Sequence, residues 1–121
     1  MTRNELAAET AGIVRLLREH AFLRYLPSGS QEYDEKLRAA DGHFSGMVYR
    51  ATGLGAPNPY PHSGLDTLAS ADADSVVRVV KRIASRLAAA AKKSSGAEAS
   101  ALAQAAVVWS KAADAIASLP R

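Results

Sequence analysis

The sequence predicts an all-α fold, a single-domain four-helix bundle with a proline-rich crossover loop between helices 2 and 3. Apolar residues recur at steps of three and four in four stretches, which is the spacing of amphipathic helices. Start and stop signals flank these stretches, and no segment shows the alternation of a convincing strand. The length of 121 residues is close to the commonest size of one domain.

Capping boxes mark the predicted helix starts. In this motif a hydroxyl residue, followed three positions later by an acid or amide, satisfies backbone amides that would otherwise be unpaired. The chain has four such pairs: Thr2 with Glu5, Ser28 with Gln31, Ser63 with Asp66, and Ser95 with Glu98. Pro27, Gly53 and Pro120 supply stops. These signals predict helices over about 3–26, 29–52, 72–93 and 96–118, with a loop at 53–64.

Helix 1 carries its predicted core face on Leu6, Ile13 and Leu17. Its last turn is apolar nearly all round, and the aromatic rings of Phe22 and Tyr25 lie there. Rings of this kind near a surface concentrate binding energy, so we expect these two residues to contact a partner.

Helix 2 carries an apolar stripe that runs straight through Gly42 and Gly46: Tyr33, Leu37, Ala40, Phe44, Met47 and Ala51. The stripe predicts one continuous helix, although each glycine disfavours helix by up to about 1 kcal/mol. The four-residue spacing of the glycines suggests a close backbone approach on their side. A break near Gly42 is the alternative.

The loop at 53–64 contains three alternate prolines, which exclude it from a helix or a sheet interior. It is expected to be a stiff crossover between distant helix ends. Tyr60 in this loop is a third candidate for partner contact.

In helix 3, from Val76 to Lys93, every lysine and arginine falls on one side and nearly every aliphatic residue on the other when about 100° is assigned to each residue. The aliphatic side predicts the core face: Val76, Val79, Val80, Ile83, Leu87 and Ala90. The opposite side, which we call the basic strip, consists of Arg78, Lys81, Arg82, Arg86, Lys92 and Lys93. We expect this strip to face solvent or a partner.

Helix 4 presents a core face that includes its tryptophan: Leu102, Ala105, Ala106, Trp109, Ala113 and Ile116. Helices 3 and 4 are both rich in alanine, which lets two helix axes approach closely as an antiparallel pair. Val107 points away from the core face and is a fourth candidate for partner contact.

Composition narrows the function classes. The net charge of +3 arises in the second half, since residues 1–64 carry seven basic and seven acidic side chains and residues 65–121 carry eight and five. The absence of cysteine excludes disulfides and thiolate chemistry. No apolar run reaches the length of a membrane span, and the first residues lack the pattern of a secretory signal. We therefore expect a cytoplasmic protein.

The basic strip suggests a non-catalytic binding or assembly subunit. Lysine and arginine neutralise phosphates without reading bases, so the partner is expected to be nucleic-acid backbone or an acidic protein. A homo-oligomeric structural or regulatory bundle, in which the charges confer solubility, is an alternative. The three histidines are not spaced to share a metal ion, and no cofactor motif is present, so we expect neither a metal nor a cofactor.

A second alternative is enzymatic. Arg15 to His20 and Arg38 to His43 both show arginine, four residues, histidine, which resembles the short signature of HEPN ribonucleases, all-helical domains that cleave RNA without metal. In that chemistry a histidine moves the 2′-hydroxyl proton and an arginine stabilises the phosphorane charge. The family pattern usually lies near the final helix, and residues five apart in a regular helix point about 140° apart. Arg38 and His43 are therefore the candidate pair if helix 2 breaks at Gly42.

Overall fold

The predicted all-α four-helix bundle is confirmed by the computed structural model, which describes residues 1–19, 31–59 and 71–121. Its helices are α1 at Arg3–Glu19, α2 at Gln31–Thr52, α3 at Ala73–Lys93 and α4 at Gly96–Ala117. α3 and α4 pack against each other as an antiparallel hairpin, and α1 and α2 pack on this hairpin and on each other.

Among the described residues, side chains cap the starts of α1 and α3. The Thr2 hydroxyl accepts a hydrogen bond from the Glu5 amide at 3.1 Å, so the N-cap half of this capping box is formed, and the same hydroxyl donates to the Glu5 carboxylate at 3.2 Å. At the start of α3, the Asp72 carboxylate accepts from the Ser75 amide at 2.8 Å. Ser95 is the N-cap of α4, but its side chain makes no capping hydrogen bond, so the capping box predicted there is not formed.

α2 is continuous through both of its internal glycines, as the apolar stripe predicts, and the alternative of a break near Gly42 is wrong. The expected close backbone approach is also wrong. Gly42 and Gly46 are exposed, and apart from the adjacent residues and the nearby backbone of α2, no atom of the described residues lies within 4 Å of a Cβ placed on either. The reason is the rotation of the helix, because Phe44 and Met47 face the core and direct the glycines outward.

The core lies between the hairpin and the first two helices. Val80, Ile83, Leu87 and Trp109 are at most 2% exposed, which confirms the predicted inward faces of α3 and α4. Further buried residues that share this core are Leu6, Phe44, Met47, Val48, Val76, Val79, Leu102, Ala105, Ala106, Ala112, Ala113 and Ile116. Val48 and Ala112 also belong to the core, although neither lies on the stripes predicted for helices 2 and 4.

Thr10 is a buried polar residue between α1 and α2. Its hydroxyl lies 2.8 Å from the Leu6 carbonyl oxygen and 3.3 Å from the Met47 sulfur. The bond to the carbonyl one turn earlier satisfies the hydroxyl, so Thr10 is fully buried without leaving an unpaired donor.

Arg3 joins three helix ends. Its backbone amide donates to the Pro120 carbonyl at 2.8 Å, and its guanidinium donates to the Ala117 carbonyl at 3.2 Å and to the Asp74 carboxylate at 3.0 Å. The start of α1, the start of α3 and the end of α4 therefore meet at one end of the bundle. The turn at Ser94 and Ser95 lies at the other end.

Several predictions fall outside the described residues. These are the extension of helix 1 through 20–26, the loop beyond residue 59, the side chains of Tyr33 and Leu37, the capping boxes at Ser28 and Ser63, and the proposed contact residues Phe22, Tyr25 and Tyr60.

Candidate polyanion-binding surface

The basic strip lies on the outer side of α3. Arg78, Lys81, Arg82, Lys92 and Lys93 are exposed, and Arg86 is half-buried. The opposite side of the same helix is buried in the core, and three of its aliphatic side chains have no exposed surface: Val76, Val80 and Leu87. The core face therefore fixes the rotation of α3 and holds the cations outward.

Most of the strip is without an intramolecular charge partner. Lys81, Arg82, Lys92 and Lys93 form no ion pair or hydrogen bond through their side chains within the described parts of the chain. Two ion pairs, Arg3 with Asp74 and Arg50 with Glu9, involve none of these four cations, whereas Arg86 of the strip does interact within the chain.

The strip has two edges. Arg78, Arg82 and Arg86 follow one another at four-residue steps, which separates them by about 6 Å along the helix axis. The Arg78 guanidinium donates to the Ser75 hydroxyl at 3.0 Å, which anchors the first member of this row. Lys81 and Lys92 form the other edge, nearer to α4, because they share a helix ridge with Ser85.

A shallow groove of about 720 Å³ runs between α3 and α4 beside the lysine edge. Alanine and serine side chains form most of its lining, and two larger side chains contribute, Lys92 from α3 and Val107 from α4. We call this surface the α3–α4 groove. Val107 is 53% exposed, so the predicted contact residue and a member of the basic strip line the same groove.

Sequence reasoning missed the α3–α4 groove, although a signal for it exists. α3 has alanines at 84, 88 and 91, and α4 has alanines at 99, 103 and 106, each at steps of four and three. Such a stripe of small residues, beside the main apolar stripe, marks a second face on which another helix axis can come close.

A second groove, of about 610 Å³, lies between residues 55–59 and α4. Pro57 and Pro59 line one side, and Leu102 and Val108 line the other. Gly55 lies under the Tyr49 ring, with 3.1 Å between a Cβ placed on the glycine and the ring carbon Cδ2. The described part of the loop therefore follows the surface of the bundle.

Arg38 and His43 are both exposed on α2 but are not brought together. Because α2 is a continuous helix, side chains five residues apart leave it about 140° apart. The local break that would direct both toward one phosphate is absent, and the geometry lends the ribonuclease hypothesis no support.

Within residues 1–19, 31–59 and 71–121, no group of three or more histidine, aspartate or glutamate side chains could hold a metal ion. No described helix has the length and apolarity needed to cross a lipid bilayer. Comparisons with protein-family models, curated proteins and solved structures gave no match for this chain.

Proposed function

We propose that this chain is a non-catalytic binding or assembly subunit whose basic strip binds a polyanion, either the phosphate backbone of a nucleic acid or an acidic protein surface. The observation that carries the proposal is the coexistence of a sealed apolar face and exposed, unpaired cations on one helix, α3.

The physical basis is the state of the cations before binding. An exposed lysine or arginine without an internal partner keeps its charge available, so an incoming anion does not have to displace a carboxylate. The arginine row adds planar guanidinium groups, which bind phosphate or carboxylate oxygens in a bidentate manner. A polyanion lying along α3 would meet several charges in succession.

This mode of binding does not depend on sequence and is sensitive to salt. Contacts with phosphates position a nucleic acid, whereas reading its sequence requires contacts with base edges. We therefore expect affinity for RNA or DNA that varies little with base sequence and falls steeply as salt concentration rises.

The test is binding of labelled single-stranded RNA, duplex DNA and polyglutamate at two salt concentrations, followed by fluorescence anisotropy. The variant is Arg78→Glu/Arg82→Glu/Lys93→Glu, which reverses three exposed charges on the strip. The matched control, Arg15→Glu/Lys111→Glu/Arg121→Glu, makes the same change in net charge at exposed positions elsewhere.

The strip variant is expected to bind its preferred polyanion at least about tenfold more weakly, with a shallower salt dependence, because three anion contacts become repulsive. The control is expected to stay close to the parent chain, and circular dichroism should show equal helix content. Equal loss in both variants would mean that net charge alone governs binding, which contradicts the proposal.

A further inference from the structure

The α3–α4 groove combines an apolar floor with a cationic edge. We infer that it binds one acidic amphipathic helix of a partner protein, with the apolar side of that helix against the alanines and its acidic side against Lys81 and Lys92. This inference rests on the proposed function, because it assigns the basic strip a protein partner and locates where that partner lies.

The first argument is steric. Ala88 and Ala103 are exposed at the groove surface, while Ala84 and Ala106 are less than 10% exposed below them. Alanine side chains let a third helix axis come within the 8–10 Å that is typical of packed helices. Val107 projects from this surface and supplies a larger apolar contact.

The second argument is charge complementarity. Lys92 lines the groove, and Lys81 lies eleven residues earlier on the same ridge of α3, about 16 Å away along the axis. Neither lysine is paired within the described residues. A docked helix with acids about three turns apart on one flank would meet both lysines.

The apolar floor distinguishes among the available partners. A phosphate backbone gains nothing from covering alanines, whereas an amphipathic helix buries apolar surface there. A second copy of this chain is a poorer match, because in a self-complementary pairing of two grooves the same surface meets itself, and the groove lining contains Lys92 but no carboxylate to pair with it. An acidic amphipathic helix places apolar side chains against the alanine floor and carboxylates beside the lysine edge.

The probe is a fluorescent 20-residue peptide with leucine or alanine at every third or fourth position and glutamate on both flanks. Its binding to the full chain is measured by anisotropy, beside a scrambled peptide that disperses the apolar stripe and a peptide with lysine in place of glutamate. We expect the acidic amphipathic peptide to bind at least about tenfold more tightly than either control peptide.

Two pairs of variants test the floor and the edge separately. Ala88→Gln/Ala103→Gln fills the groove at exposed positions, and Ala89→Gln/Ala101→Gln makes the same change on exposed alanines outside it. Lys81→Gln/Lys92→Gln removes the edge charges, and Arg15→Gln/Lys111→Gln removes two exposed charges outside the basic strip. The first member of each pair should weaken peptide binding about tenfold, and its control less than about twofold.

Failure of the inference is distinguishable from failure of the proposed function. If polyglutamate or nucleic acid binds the strip but the acidic peptide binds no better than its scrambled form, the inference is wrong and the proposed function stands. If light scattering shows a dimer that Ala88→Gln/Ala103→Gln dissociates, the occupant is a second copy and the inference is wrong. If no acidic probe binds, both are wrong.

Discussion

The α3–α4 pair and the α1–α2 pair are held together differently. α3 and α4 pack along an apolar seam of valine, leucine, alanine and tryptophan side chains. Within the described residues, α1 and α2 make fewer contacts with each other than α3 and α4 do, and these include polar ones, the Thr10 contact with Met47 and an ion pair between Glu9 and Arg50. Buried apolar surface thus holds α3 against α4, whereas the α1–α2 pair is also joined by an ion pair.

This difference bears on function. Where an apolar seam alone holds two helices, the charged residues on the outer side are not needed for the fold. Most cations of the basic strip therefore do not stabilise the fold through ion pairs, whereas Arg3 and Arg50 form ion pairs that join two helices. A cation without an intramolecular role is the better candidate for contact with a partner.

A large effect should come from breaking the apolar seam at Leu87. This side chain has no exposed surface, so Leu87→Ala loses buried area and leaves a cavity, at a cost of about 2–5 kcal/mol of unfolding free energy. Urea denaturation measures the change. Val107→Ala, on the exposed side of the same hairpin, should stay within about 0.5 kcal/mol. Similar losses for both would show that the seam does not dominate.

A smaller effect should separate the two N-caps of the hairpin. Asp72→Ala removes the carboxylate that accepts from the Ser75 amide, and it should cost about 0.5–2 kcal/mol in thermal or urea unfolding. Ser95→Ala removes a side chain that makes no capping hydrogen bond, so it should cost clearly less. A larger loss of unfolding free energy for Ser95→Ala than for Asp72→Ala would contradict the capping hydrogen bonds described for the two helices.

Replacing Trp109 by phenylalanine should cost little for so large a buried residue. The indole N–H is buried and has no hydrogen-bond partner among residues 1–19, 31–59 and 71–121, so its removal relieves a penalty of about 1–3 kcal/mol that partly offsets the lost volume. We expect a net loss of about 1 kcal/mol for Trp109→Phe, against about 3–5 kcal/mol for Trp109→Ala. If calorimetry gives equal losses of stability for Trp109→Phe and Trp109→Ala, burial of the indole N–H does not destabilise the parent protein.

The smallest effect concerns the ion pair between α1 and α2. The Arg50 guanidinium binds the Glu9 carboxylate through two contacts, at 2.7 and 3.1 Å, but both side chains are substantially exposed. A double-mutant cycle of Glu9→Gln and Arg50→Gln should give a coupling of about 0.2–1 kcal/mol, which declines in 1 M salt. The loss of stability in Leu87→Ala should be unaffected by salt, because it arises from apolar burial. A Glu9–Arg50 coupling that stays unchanged in 1 M salt would contradict an exposed ion pair.

The sequence predicted the features that lie within a single helix. The two faces of α3, the inward positions of Val80 and Trp109, and the continuity of α2 all follow from periodicity, because each helix must bury one apolar stripe. Helix ends were predicted to within about two residues where the structure describes them, since proline, glycine and capping residues act locally.

Features that join two helices were not predictable in the same way. The contacts of Arg3, the pairing of Glu9 with Arg50 and the α3–α4 groove all depend on how helices are rotated and placed relative to one another. Thr10 was missed for a related reason, because a hydroxyl satisfied by its own helix backbone is buried although its residue type is polar. The periodicity of one helix predicts which of its faces is buried, but it does not predict which residues of the other helices contact that face.

The meeting of three helix ends at Arg3 has a practical consequence for protein engineering. Since Arg3 bonds to Pro120, a short linker could join the two termini, and new termini could be opened between Ser94 and Ser95, about 30 Å away along the 21 residues of α3. Such a circular permutant would keep every helix beside its present neighbours. For the same reason, a fluorophore or affinity tag attached before Met1 or after Arg121 would lie far from the turn at Ser94 and Ser95.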